Sequence, residues 1–245
     1  TTHKLSHILM FLSSCIIMLL CSSASIDAEV LPEAAKLLPP NTILLVDVDN
    51  FSELKTQFEK TNFYKIYKDP AMAAVIENFK TKWHEKIKKL DENDIVRTIV
   101  SAGVLPQGRV AIALVLDEQT KDVNQPPILF ITQWGKNIDK VKKSVNEMAQ
   151  KNIEMGGHRK KSEDYRGISI ETMVDELSAT LTYCFIDDCW IFTMDPDILK
   201  FVIAHIKGAS SPTLADNADY TSVMKAVGPY RDIDFYINIK QIINM

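Results

Sequence analysis

Leu181-Thr182-Tyr183-Cys184-Phe185-Ile186-Asp187-Asp188-Cys189-Trp190-Ile191-Phe192-Thr193-Met194 decides the fold class of this chain. Two runs rich in aromatic and β-branched residues meet at a pair of aspartates, the pattern of two strands joined by a tight turn. With Asp187 and Asp188 as the turn residues, Phe185 pairs with Trp190, Tyr183 with Phe192 and Leu181 with Met194. All six then point to one face. The opposite face carries Thr180, Thr182, Cys184, Ile191 and Thr193, a mixed surface, so the hairpin fits an antiparallel sheet with one strongly buried side.

Working outward, Asp195-Pro196 opens a helix, with aspartate as the cap and proline at the first helical position. Ile198, Leu199, Phe201, Val202 and Ile206 follow before Gly208. A short helix from about Ala218 to Val227 and a strand from Ile233 to Ile239 come last. Upstream, Gly167 to Val174 reads as a strand, preceded by a basic, mobile stretch from His158 to Lys161 after Gly156-Gly157. Ile138, Val141, Val145 and Met148 mark a helix. Arg109 to Leu116 and Ile128 to Trp134 are strand runs whose short, non-helical connection favours antiparallel pairing.

Further upstream, Ile95, Val96, Ile99 and Val100 suggest a short helix ending at Gly103. Asp69-Pro70 repeats the helix-start pattern, and Met72, Val75, Ile76, Phe79, Trp83, Ile87 and Leu90 recur at helical spacing as one apolar stripe. Ser52 is placed to cap a helix carrying Leu54 and Phe58. Thr42 to Val48 is a buried strand after the turn-rich Leu38-Pro39-Pro40-Asn41. Strand, short linker and amphipathic helix thus alternate at unequal periods. This predicts an α+β fold, a mostly antiparallel sheet with amphipathic helices packed on one face.

The first 28 residues have another character. Lys4 and two histidines precede an apolar block from Ile8 to Leu20, then small and polar residues from Cys21 to Ala28, which is the grammar of a secretory signal peptide. The block is about 13 residues, whereas a membrane-spanning helix needs roughly 20. Cleavage between about Ala24 and Ala28 is expected, leaving a single domain over 29–245. A lipidated cysteine at Cys15 or Cys21 fits less well, because Cys15 lies inside the apolar block and Leu20 is bulky beside Cys21. The mature chain is predicted to be secreted or periplasmic, touching a membrane only if the signal segment is retained.

Apolar residues make up 46% of the chain and charged residues 24%, the balance of an ordinary globular protein. The formal charge of -4 gives no electrostatic reason to expect a nucleic-acid partner or an anionic membrane surface. The lysines from Lys80 to Lys89 are a local exception, read as a solvated helix face.

Five stretches together resemble a known family. They are Leu37-Leu38-Pro39-Pro40-Asn41-Thr42, Phe63 to Met72, Leu105-Pro106-Gln107-Gly108-Arg109-Val110-Ala111, Tyr165-Arg166-Gly167-Ile168-Ser169-Ile170 and Leu214-Ala215-Asp216-Asn217-Ala218-Asp219-Tyr220. In this order they are similar to domain-of-unknown-function family 3352, a bacterial envelope family of planctomycete-like organisms. The resemblance implies an exported protein with no assigned reaction and supplies no catalytic residues. Members of this kind are often longer, which implies a chain truncated at its carboxyl end.

The sharpest chemical lead is Asp47-Val48-Asp49-Asn50 directly after an apolar strand. Haloacid-dehalogenase-type phosphatases place a nucleophilic aspartate there and a general acid two residues on, with magnesium holding the phosphate. Asp187-Asp188 after a later strand could complete the metal site. Against this stand Phe51, where that family has Thr or Val, the turn role of Asp187-Asp188, and the missing helical crossovers. His84, His158 and His205 are far apart in sequence, and no phosphate-binding glycine loop or dinucleotide fingerprint occurs, so no cofactor is expected. Cys184 and Cys189 are the only cysteines after the signal segment. A disulfide between them would need a four-residue loop, since the two-residue turn makes them diagonal neighbours roughly 7 Å apart. The leading expectation is a non-enzymatic envelope protein that binds or scaffolds an unidentified component or ligand. The alternatives are the magnesium-dependent phosphatase using Asp47 and Asp49, and a carrier of a lipid or other apolar ligand.

Overall fold

The structure is a computed structural model that describes residues 31–88, 98–100, 102–116, 127–156, 158–174, 179–228 and 231–243. The expected signal segment, and Ile95 and Val96 of the expected short helix, lie outside these residues. Eight strands form one sheet: β1 (Thr42–Val48), β2 (Val110–Val115), β3 (Ile128–Gln133), β4 (Arg159–Tyr165), β5 (Ile168–Val174), β6 (Ala179–Ile186), β7 (Cys189–Thr193) and β8 (Ile233–Ile237). Their order is β4-β5-β6-β7-β3-β2-β1-β8, and every neighbouring pair is antiparallel. The expected α+β class with an antiparallel sheet is what the chain forms. The hairpin register is as read for Phe185 opposite Trp190 and Tyr183 opposite Phe192, with Asp187 at φ 51° in the turn, but the ladder stops at Thr182 and Thr193, short of the expected Leu181–Met194 pair.

Side chains alternate across the pleat, so each rung of paired residues belongs to one face. One rung runs Ile170, Cys184, Ile191, Ile131, Ala111, Asp47 and Asp234. This first face packs against Ile198, Leu199, Val202 and Ile203 of the helix Pro196–Ile206, against Tyr220, and against Ala34, Leu37 and Leu38 of the segment leading into β1. The next rung over carries Tyr183, Phe192, Phe130, Ile112, Val46 and Phe235 on the second face. There Val141, Val145, Met148 and Ala149 of the helix Ile138–Glu154 cover Trp134, Tyr183, Trp190 and Phe192. Helices therefore occupy both faces, where the sequence pattern placed them on one. The aromatic face of the hairpin and its Ile191 face each bury enough apolar area to need a cover.

In chain order the α-helices are α1 (Phe51–Glu59), α2 (Asn62–Lys68), α3 (Ala73–Lys88), α4 (Ile138–Glu154), α5 (Pro196–Ile206), α6 (Ala218–Val227) and α7 (Ile239–Ile243). Asp195 caps α5 by accepting from the Asp197 and Ile198 amides, as expected. The cap of α1 is Asn50, which accepts from Glu53 N–H at 3.0 Å, rather than Ser52.

Two expectations are corrected. The stretch read as mobile after Gly157 contains edge strand β4, which pairs with β5 through a two-residue turn at Arg166-Gly167, both at positive φ. Its residues 159–164 are all exposed, so no apolar alternation marks it. The apolar stripe of α3 does form a helix, yet Val75 and Phe79 face solvent, and no described residue of α2 or α3 is classed as buried.

Candidate functional site

The polar residues nominated for chemistry gather where β1, β2 and β3 end on the first face. Asp47 is the sixth residue of β1, and Arg109 immediately precedes β2. The Arg109 guanidinium donates through Nη1 to Asp47 Oδ2 and through Nη2 to Asp49 Oδ1. Arg109 is 3% exposed and Asp47 9% in their side chains, whereas Asp49 is 65% exposed. Asp47 also lies directly across from Asp234 on β8, and Asp234 is paired with Arg231. Two carboxylates opposite one another repel, and each is held by its own arginine.

Desolvation dominates here. Asp47 Oδ1 and Arg109 Nε are buried and have no hydrogen-bond partner among the described residues. Burial pushes the Asp47 carboxyl up from an ordinary 3.8 to about 6, against the lowering pull of Arg109.

Around this pair the backbone is knotted. Gln107 and Gly108 N–H both donate to Gln133 O at 2.9 and 3.2 Å, and Gln133 N–H donates to Arg109 O at 2.8 Å. Gln133 Oε1 accepts from Arg109 N–H at 3.2 Å, and Gln133 Nε2 reaches both oxygens of Asp188 at 3.3 Å. Phe51 and Ser52 N–H, at the start of α1, donate to Gly108 O and Gln107 O. A Cβ at Gly108 would lie 2.1 Å from Gln133 Oε1, so a larger residue there must displace the Gln133 side chain from its hydrogen bonds. The knot thus locks α1, the end of β3 and the β6/β7 turn into one corner.

The structure brings Asp47 and Asp49 together through Arg109, and it links Asp188 to the same corner through Gln133. The Asp47 carboxylate is buried and engaged, in a sheet with no parallel pair, and an attacking carboxylate needs a free oxygen facing substrate. Among the described residues, no three of the histidines, cysteines, aspartates and glutamates are placed to hold a metal ion. Cys184 and Cys189 are free, buried thiols opposite Ile191 and Ile186. Burial pushes the Cys184 thiol up to about 12 and raises Cys189 further, with Asp188 adding to the rise.

Sequence reading missed Arg109 as the hub, since 62 residues separate it from Asp47. The available signal was a cationic residue opening an otherwise apolar strand run. A second group escaped as well: the apolar side chains Phe63 and Ile66 on α2 and Val75 and Phe79 on α3 are all exposed. An open depression of about 570 Å³ on α4 is lined by Lys143, Asn146, Glu147, Gln150 and Lys151, a polar set. No helix among the described residues is long and apolar enough to cross a membrane.

Residues 107–245, more than half of the chain, match a family described as Protein of unknown function (DUF3352). The chain belongs to this family. The DUF3352 match holds β2 to β8 but not β1, which lies between β2 and β8 in the sheet. Two of the resembling stretches meet in space across the match boundary: Leu214 N–H donates to Leu38 O at 2.8 Å, and Asn217 Nδ2 to Pro40 O at 3.0 Å. No curated protein and no solved structure matches the chain.

Proposed function

We propose that this chain is an exported protein of the cell envelope that works by binding, as a docking or scaffold module. The observation that carries the reading is the α2/α3 pair, whose apolar side chains are presented outward instead of being spent on the core. An exposed apolar patch rimmed by polar residues marks an interaction surface. The signal-like grammar of residues 1–28 supports export.

The two alternatives have less support. Asp47, the nucleophile a phosphatase would use, is enclosed by Arg109. For a carrier, the space between the first face and α5 is filled by Leu45, Leu129, Ile131, Ile191, Leu199 and Val202, each at most 1% exposed. Incubation of the purified chain with p-nitrophenyl phosphate and magnesium tests the reading, with no release above the blank expected. Turnover that disappears in Asp49→Asn, a change at an exposed side chain, would overturn it.

A further inference from the structure

We propose that the α2/α3 helical pair docks the protein onto an anionic lipid surface, lying in the plane of the headgroups. This rests on the binding reading above and names its partner. Phe63 is 76% exposed, Ile66 55%, Val75 59% and Phe79 47%. Among the main elements, α2 touches α1 and α3, and α3 touches α2 and the 3-10 turn Pro70–Met72 before it. Among the described residues the main contacts of the pair are thus with these neighbours rather than with a strand, and the four apolar side chains stay exposed.

The charges choose the partner. Residues 60–88 hold seven lysines against Asp69, Glu77 and Glu85, in a chain whose overall formal charge is -4. On α3, Val75, Phe79 and Lys82 follow one another at spacings of four and three, so an exposed lysine continues the line of exposed apolar residues. On α2, Lys65 and Lys68 flank Ile66, and the Lys68 ammonium lies 5.4 and 5.7 Å from the Tyr64 and Tyr67 ring centres. Lysines bordering an apolar helix face, with tyrosines beside them, are what a headgroup boundary accommodates, because the stems lie along apolar surface while the ammoniums reach phosphate. Protein interfaces instead deplete lysine and favour arginine, and residues 60–88 contain no arginine. The 16 residues of α3 are fewer than the roughly 20 needed to span a bilayer. Lying flat is the geometry left.

The test uses the protein purified from its native host and vesicles of phosphatidylcholine with or without one quarter phosphatidylglycerol. Trp134 and Trp190 are at most 1% exposed inside the core, so a blue shift of tryptophan emission on adding vesicles reports Trp83 on α3. We expect binding to the phosphatidylglycerol vesicles at least tenfold tighter than to pure phosphatidylcholine, weakening with salt. Lys65→Gln with Lys82→Gln should remove that preference, since each lysine near an anionic surface is worth about fivefold. Phe63→Ser with Phe79→Ser should lower binding at least tenfold with an unchanged melting temperature, because both side chains are already solvated.

Equal affinity for the two vesicle types, or binding indifferent to both double variants, overturns the proposal. So does absence of vesicle binding. If a photo-crosslinker at Phe79 then captures a protein or a second copy, the lipid proposal falls while the binding reading stands. Turnover dependent on Asp49 would strike that reading alone.

Discussion

Replacing Asp47 by asparagine should cost the fold more at pH 4.5 than at pH 7.5. Asparagine keeps the shape of the carboxyl but cannot ionise, so the stability difference between the two proteins isolates the titration of this one group. In the fold, burial raises the carboxyl from 3.8 to about 6 despite Arg109. The folded state therefore holds the proton more tightly than the unfolded chain. The resulting stability is fully present below 3.8 and is lost as pH rises through about 6. The whole span is about 3 kcal/mol, at about 1.4 kcal/mol per pKa unit. Between pH 4.5 and 7.5 it is about 2 kcal/mol. Urea unfolding of both proteins at each pH, analysed as two-state with matched slopes, measures it. A difference that stays constant, or that grows with pH, would refute the reasoning, because it would mean that attraction to Arg109 outweighs the desolvation of Asp47.

Three other outcomes are expected. Gly108→Ala pushes a Cβ into Gln133 Oε1 and should destabilise by about 1–3 kcal/mol. Gln133→Ala in the same chain should recover part of that loss, and a melting shift under 1 °C for Gly108→Ala would contradict it. Residues 107–245 produced alone should lack cooperative unfolding, since among the described residues β8 pairs only with β1; a well-dispersed amide spectrum from that fragment would count against this. Native protein at pH 8 should leave Cys184 and Cys189 unlabelled by a thiol reagent, and urea without reductant should make both reactive. Prompt labelling of the folded state would refute the burial, and silence in urea would reveal a bridge.

The fold class was legible because the 181–194 hairpin carries its own instructions, an aromatic face, a turn and a register within one short stretch. Its aromatics pack as the alternation requires, with Phe130 and Phe192 stacked at 4.5 Å and Trp190 and Phe192 at 4.2 Å. Edge strand β4 was illegible for the opposite reason, since a strand exposed along its length has no face to mark. The stripe on α3 shows what periodicity measures: it locates an apolar side of a helix and says nothing about what that side meets. Helical spacing alone therefore could not tell a core helix from one turned outward. The Asp47 environment depends on Arg109 and Asp234, which are distant in the chain, so local motif logic saw two spaced acids and supplied a nucleophile. Only the pairing of β1 with both β2 and β8 shows Asp47 to be buried against Arg109 while Asp49 stays exposed.

The placement of β1 between β2 and β8 also has a consequence for synthesis. Thr42–Val48 leaves the ribosome well ahead of its partners, for one follows about 65 residues later and the other about 190 residues later. All seven of its residues are buried in the finished sheet, and a short apolar segment of high β-propensity with both edges open is a template for pairing with another chain. During that interval the nascent protein carries an apolar strand with neither of its partners in place. How fast β8 arrives, and what shields β1 until then, therefore bear on the yield of native molecules separately from the stability of the completed sheet.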